Sequence, residues 1–212
     1  MDLEGNQGQM PSAGFSLANR NLGPGDTVSV MAPNIPALYE SHFGVPMTGA
    51  VLNALNIRLD AKTIAFILDH AETKVLITDT EFSPVIKEAL QICNQDLLVV
   101  DIDDTEGPGG DRLGELTYEE LLAEGESNYT WSLPDNEWNA ISLNYTSGTT
   151  GNPKGVVYHH RGPISMQVAT LLVGIWATTQ PISGPYRCST VRLVFSLVPG
   201  CCWGNQYLPP KR

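Results

Sequence analysis

The chain has 212 residues, a formal net charge of −11 and 42% hydrophobic residues. That length can form one fair domain but not two, and the acidic balance disfavours nucleic acid and anionic membrane as partners. Its cysteines, Cys93, Cys188, Cys201 and Cys202, follow neither a disulfide framework nor a metal-ligand spacing. Met1–Gly5 lacks the basic start and apolar run of a signal peptide, and Val168–Ala177 is too short to span a bilayer, so the cytosol is the expected location.

In chain order, residues 1–16 read as an irregular segment. Thr27–Met31 reads as a strand. Asn34 can cap a helix with Pro36 in its first turn, running towards Gly49, and Val51–Leu55 reads as a second apolar strand. Asp60 caps the next helix, whose Ile64, Ile67, Leu68 and Ala71 share one face, and Lys74–Thr78 follows as a strand. Ser83-Pro84 opens a helix carrying Val85, Ile86, Ala89 and Leu90, with Cys93 a core residue beyond it. Gln95-Asp96 then turns the chain into the strand Leu97–Val100. Asp101, Asp103, Asp104 and Glu106 lie beside Gly107–Gly110 but lack the ligand spacing and terminal glutamate of a calcium loop, so a solvated surface loop is expected. Trp131 and Trp138 bracket the turn Pro134-Asp135-Asn136, as aromatic packing at a corner. The alternation of strand and helix predicts a layered α/β sheet domain.

Ala140–Asn144, another strand, feeds the one stretch that reads as chemistry: Tyr145-Thr146-Ser147-Gly148-Thr149-Thr150-Gly151-Asn152-Pro153-Lys154-Gly155-Val156. Glycines allow the backbone to bring N–H groups close to an anion. Thr146, Ser147, Thr149 and Thr150 add neutral donors, and Lys154 adds a mobile positive charge. The pattern is a polyphosphate grip. It is not a P-loop, because Lys154 lies between Pro153 and Gly155, nor a dinucleotide fingerprint, because the glycine intervals are wrong and a strand-like Gly155–Tyr158 follows. His159 and His160, adjacent on a strand, point to opposite faces and cannot chelate one metal. His42 and His70 fall on helices and read as packing or surface residues.

This loop resembles the signature motif of the adenylate-forming (AMP-binding) superfamily. Pro24-Gly25-Asp26-Thr27-Val28, Ala32-Pro33-Asn34, Phe43-Gly44-Val45-Pro46 and Asn56-Ile57-Arg58-Leu59 are similar to its acyl-CoA synthetase branch, in its short- and medium-chain carboxylate members, from about Leu17 to Gly162. The resemblance implies part of the large N-terminal domain of that α/β fold, residues 17–162, with the fold incomplete and the C-terminal domain absent. It implies carboxylate activation by ATP and Mg2+, then thioester formation with CoA. Thr146, Ser147, Gly148, Thr149, Thr150, Gly151 and Lys154 would be the nucleotide contacts. The family's adenine-stacking aromatic, magnesium-aiding glutamate, ribose-gripping aspartate and catalytic lysine lie beyond this chain, so no catalytic residue or metal ligand is assigned. The expected partners are a small carboxylic acid, ATP and CoA. The isolated chain is expected to be inactive, the alternative being a non-catalytic fragment or interaction protein that keeps the phosphate loop alone; an unrelated phosphate-binding enzyme such as a kinase lacks its own motifs here. A peroxisomal location is also compatible with the family.

Residues 163–212 read as an aberrant tail that packs poorly. Family members follow the signature with a segment close to Trp-Thr-Leu-Pro-Met-Phe-His, which the tail lacks. The string TGG ACC CTA CCG ATG TTC CAC T encodes that segment and, read one nucleotide later, gives Gly184–Thr190 as it stands. A different shift makes Cys201–Lys211 family-like, which requires a second slip between Val191 and Gly200. Sequencing the transcript across these codons is expected to spell the family segment in another frame; any other codons under Gly184–Thr190 overturn the expectation.

Overall fold

Thr27–Met31 (β1) is buried at all five positions, a pattern that requires helices on both faces of its sheet. The structure, a computed structural model, describes residues 3–126, 128–131, 133–146 and 153–162. Contacts divide the chain into Met1–His159 and His160–Arg212, and of the second unit residues 160–162 alone are described.

β1 lies in the middle of the sheet of the first unit. Val51–Ala54 (β2) pairs with it in parallel on one side and Thr73–Asp79 (β3) on the other. Leu98–Ile102 (β4) and Leu116–Thr117 (β5) extend the sheet past β3, and Ala140–Thr146 (β6) returns to the far side of β2. Lys154–His159 (β7) folds back antiparallel on β6, giving the order β5-β4-β3-β1-β2-β6-β7. Winding runs one way from β1 to β2 and reverses to reach β3, so the connecting helices fall on opposite faces.

Leu3–Asn19 (α1), Pro36–Met47 (α2) and Tyr118–Ala123 (α5) cover one face. There Val28 and Val30 of β1, Val75 and Ile77 of β3 and Val100 of β4 pack with Leu17, Val45 and Leu121. Ala61–His70 (α3) and Ser83–Ile92 (α4) cover the other, where Met31 and Leu76 meet Ile64, Ile67, Leu68, Ile86 and Ala89. The strand residues alternate between the two cores with the period of two that a pleated strand dictates. Truncating a fully buried Ile64 or Leu68 to alanine would cost about 2–5 kcal/mol. At the centre, Asn53 Nδ2 donates to Ser29 Oγ at 2.9 Å and Ser29 Oγ lies 2.8 Å from Thr73 Oγ1, so buried polar groups link the three middle strands.

Asp60 caps α3 as expected, accepting from the Thr63 N–H at 2.8 Å. In α2 the cap is Ile35, not Asn34, and its side chain makes no capping hydrogen bond. The cause is Pro36, which drives the residue before it into the extended region, at φ −117° and ψ 167°.

The N-terminal segment read as irregular is helical over Leu3–Asn19 despite Pro11 within it. Glycines and a proline give the segment poor intrinsic propensity, and tertiary contact supplies what propensity does not. A Cβ on Gly44 would stand 2.9 Å from Ala13 Cβ, and one on Gly14 would stand 3.2 Å from Gly44 O, so α1 and α2 cross where both lack side chains. Ser16 Oγ donates to Leu121 O at 2.6 Å, and Arg20 pairs with Glu124 at 2.6 Å.

Asp101 also departs from expectation. Instead of a solvated loop residue it is 1% exposed, with Oδ2 accepting the N–H groups of Leu113 and Gly114 at 2.9 and 2.7 Å. Asp103 is exposed and pairs with Arg112 at 2.6 Å. α5, absent from the sequence reading, opens on a capping box in which Thr117 Oγ1 accepts from the Glu120 N–H and Glu120 Oε2 accepts from the Thr117 N–H.

Glu40 of α2 is 1% exposed and accepts a 2.9 Å hydrogen bond from the Tyr118 hydroxyl. Burial pushes its carboxyl above the ordinary range, and that rise outweighs the lowering by Tyr118. A raised carboxyl favours folding most below its unfolded value of 4.5, and the contribution is lost as pH climbs through the native value. The melting midpoint of Glu40→Gln is therefore expected to gain on wild type as the buffer is taken from about pH 4 to about pH 8. A difference independent of pH across this range would contradict the buried ionisation.

Candidate functional site

Because β1, β2, β3, β4 and β6 run parallel, their C-terminal ends share one edge of the sheet, the edge at which open α/β sheets hold ligands. β6 ends there with Thr146. Thr146 stands opposite Lys154 in the antiparallel register, with Tyr145 opposite Gly155, so the base of the loop at residues 147–153 is closed by strand pairing. Both Thr146 and Lys154 are exposed. Ser147, Gly148, Thr149, Thr150 and Gly151 lie outside the described residues. Of the predicted contacts, the structure thus places two, one at each foot of the loop.

The stem of the loop has its own geometry. Tyr145 Oη lies 2.7 Å from His70 Nδ1, and the two rings meet edge to face with centroids 5.8 Å apart. His70 in turn stacks on Phe66, one turn earlier in α3, at 5.4 Å. Burial pushes the Tyr145 phenol up, and the His70 tautomer decides which of the two atoms donates. On the opposite strand Gly155 leaves room for this side of the sheet: a Cβ there would stand 3.0 Å from Leu143 Cδ1 and 3.4 Å from Tyr145 Cζ. The sequence assigns Gly155 to backbone freedom near an anion, whereas the structure gives it a packing reason. His70, read as packing or surface, carries the contact that sequence reasoning missed; it lies 75 positions from Tyr145, and no local pattern links them.

Three further residues that could titrate or ligate have packing or hydrogen-bonding partners. His42 is buried, with Nδ1–H donating to Leu38 O at 2.6 Å, and burial pushes its imidazole below the ordinary range. Cys93 is half-buried and donates its thiol proton to Asp69 Oδ1 at 3.1 Å. Burial and that carboxylate push the thiol up to about 11, so it is no nucleophile at neutral pH. His159 packs on Trp138 with centroids 4.7 Å apart. Among the described residues no group of three or more His, Cys, Asp or Glu is placed to hold a metal ion.

The sequence model of the AMP-binding enzyme family matches residues 12–201. A peroxisomal acetate/butyrate–CoA ligase of Arabidopsis thaliana is 47% identical over 170 residues, which is 74% of this chain and 30% of that protein. An acetate–CoA ligase of Humulus lupulus is 45% identical over 170 residues, with the same shares covered. The chain therefore spans about 30% of the length of these curated relatives. In fold it is similar to the anthranilate CoA ligase AuaEII, solved in complex with anthranoyl-AMP, with a TM-score of 0.70 and 24% identity over 80% of this chain and 31% of that one. A parallel sheet with helices on both faces, a closed loop base at its C-terminal edge, and sequence matches across most of its length agree: this chain belongs to the AMP-binding enzyme family, in the acyl-CoA synthetase branch of the adenylate-forming superfamily.

Proposed function

We propose that this chain carries the phosphate-holding part of an ATP-dependent carboxylate–CoA ligase. The observation that supports this reading most is the pairing of Thr146 with Lys154, which puts a hydroxyl and an ammonium group at the base of one loop on the ligand edge of the sheet. In the reaction, a carboxylate oxygen attacks the α-phosphorus of ATP and the bond to the β-phosphate breaks, releasing pyrophosphate. The CoA sulfur then attacks the acyl carbon and AMP leaves. Negative charge grows on the departing pyrophosphate, and Lys154 with the hydroxyls of Thr146, Ser147, Thr149 and Thr150 is the set of donors that offsets it. Such relief is electrostatic and needs no protein nucleophile.

The substrate class follows from the relatives, two of which are named as ligases of acetate or of acetate and butyrate; a short-chain carboxylic acid is the acyl donor we assign. CoA is the acceptor. Mg2+ would supply further charge neutralisation on the phosphates. One of these relatives is named peroxisomal, and among the described residues no helix is long and apolar enough to cross a membrane; we place the protein in the cytosol or the peroxisome. We read the chain alone as binding nucleotide without turning it over, since it spans about 30% of the length of its curated relatives.

Isothermal titration of inorganic pyrophosphate and of ATP into the purified chain tests the grip. Lys154→Ala is expected to weaken pyrophosphate binding by about tenfold or more, the value of a charged hydrogen bond; equal affinity removes Lys154 from the site. With ATP, butyrate and CoA supplied together, the isolated chain is expected to release no pyrophosphate above background. Release that depends on butyrate would show a complete catalyst.

A further inference from the structure

β6 is tied to the parallel sheet by a single register pair, Leu52 with Ser142. Continued in parallel, that register sets Leu143 and Asn144 beside Asn53 and Ala54, where β2 ends, so the last two residues, Tyr145 and Thr146, run past β2 with β7 beside them. β7 gives little support, since Lys154, Gly155, Val156 and Val157 are all exposed. The two feet of the loop therefore stand on a strand pair that projects beyond the ladder. One side chain reaches back from this projection to the body of the fold by a hydrogen bond to a helix: Tyr145, through His70. His70 is a firm anchor, because α3 is capped by Asp60 and buries Ile64, Ile67 and Leu68, and because Phe66 stacks on its ring. On its other side the Tyr145 ring lies against the bare backbone of Gly155, the residue after Lys154.

We propose that His70 and Tyr145 form a brace that positions the base of the phosphate loop, and with it Lys154, from helix α3. His70 is a positioning residue: it touches no phosphate and acts through the Tyr145 ring on Gly155. This role rests on the nucleotide reading of the loop given above. Its chemistry requires one donor and one acceptor at fixed reach. Asparagine at position 70 offers a polar atom near the place of Nδ1, whereas alanine offers none.

The test uses the full chain, with inorganic pyrophosphate as probe in calorimetry and hydrogen exchange at the amides of Gly155 and Val156 as a second readout. His70→Ala and Tyr145→Phe are each expected to weaken pyrophosphate binding about fivefold, as for loss of one neutral hydrogen bond. The double variant is expected to be no weaker than either single one, because both break the same link. His70→Asn is expected to recover affinity. A lower melting midpoint with unchanged affinity overturns the brace, as does additivity in the double variant. If wild type binds pyrophosphate and Lys154→Ala weakens it while His70→Ala does not, the brace falls and the nucleotide reading stands. If wild type does not bind, the nucleotide reading falls, and exchange decides what is left of the brace: faster exchange at Gly155 and Val156 in His70→Ala supports it, and unchanged exchange overturns it.

Discussion

A strand buried on both faces cannot satisfy its surroundings by itself, and β1 is such a strand from Thr27 to Met31. Everything around it answers that requirement. Crossover connections between parallel strands must be long, and here those after β1, β2 and β3 carry helices that cover the sheet. The reversal of winding after β2 divides those helices between the faces and makes two cores. Ser29, in the middle of β1, is a buried polar residue, and it is tolerated because Asn53 and Thr73 complete its hydrogen bonds across the two neighbouring strands.

The same parallel arrangement fixes where chemistry can occur. Helices and apolar side chains close both faces, so the strand ends remain the places where backbone can meet a ligand. β6 carries the hydroxyl-rich loop to that edge, and the antiparallel turn into β7 sets its two feet side by side. Under the proposed reading, Thr146 and Lys154 stand at those feet before an anion arrives, which is the condition for electrostatic stabilisation without reorganisation. The end of β6 runs past β2, and there the contact from Tyr145 to His70 at the end of α3 ties it to the body of the fold.

The strands were legible because their runs are short, apolar and bounded: Thr27–Met31 has the same limits in sequence and structure, and β2, β3, β4 and β6 differ by a few residues at their ends. α3 was legible through Asp60 and the spacing of its apolar face. The capping box at Thr117 and Glu120 announced α5 in the sequence, and its meaning was hidden by the surrounding acidic residues. Asp101 misled for a related reason, since composition suggests solvent around a charge while two backbone N–H groups hold this one inside. At the candidate site Thr146 and Lys154 follow from motif and alternation. His70 does not, because a hydrogen bond between residues this far apart in sequence is decided by the fold and leaves no periodic trace.

α1 illustrates the opposite limit, a helix with almost no helical signal of its own. Its partners are α2, met at the Gly14–Gly44 crossing, and α5, met through Ser16 and Arg20. A segment that is helical only by virtue of such neighbours has nothing to dock against until both exist, and α5 is made about a hundred residues later. During synthesis, then, α1 emerges long before the segment it needs, and until residue 123 has emerged the apolar flank of α2 waits uncovered.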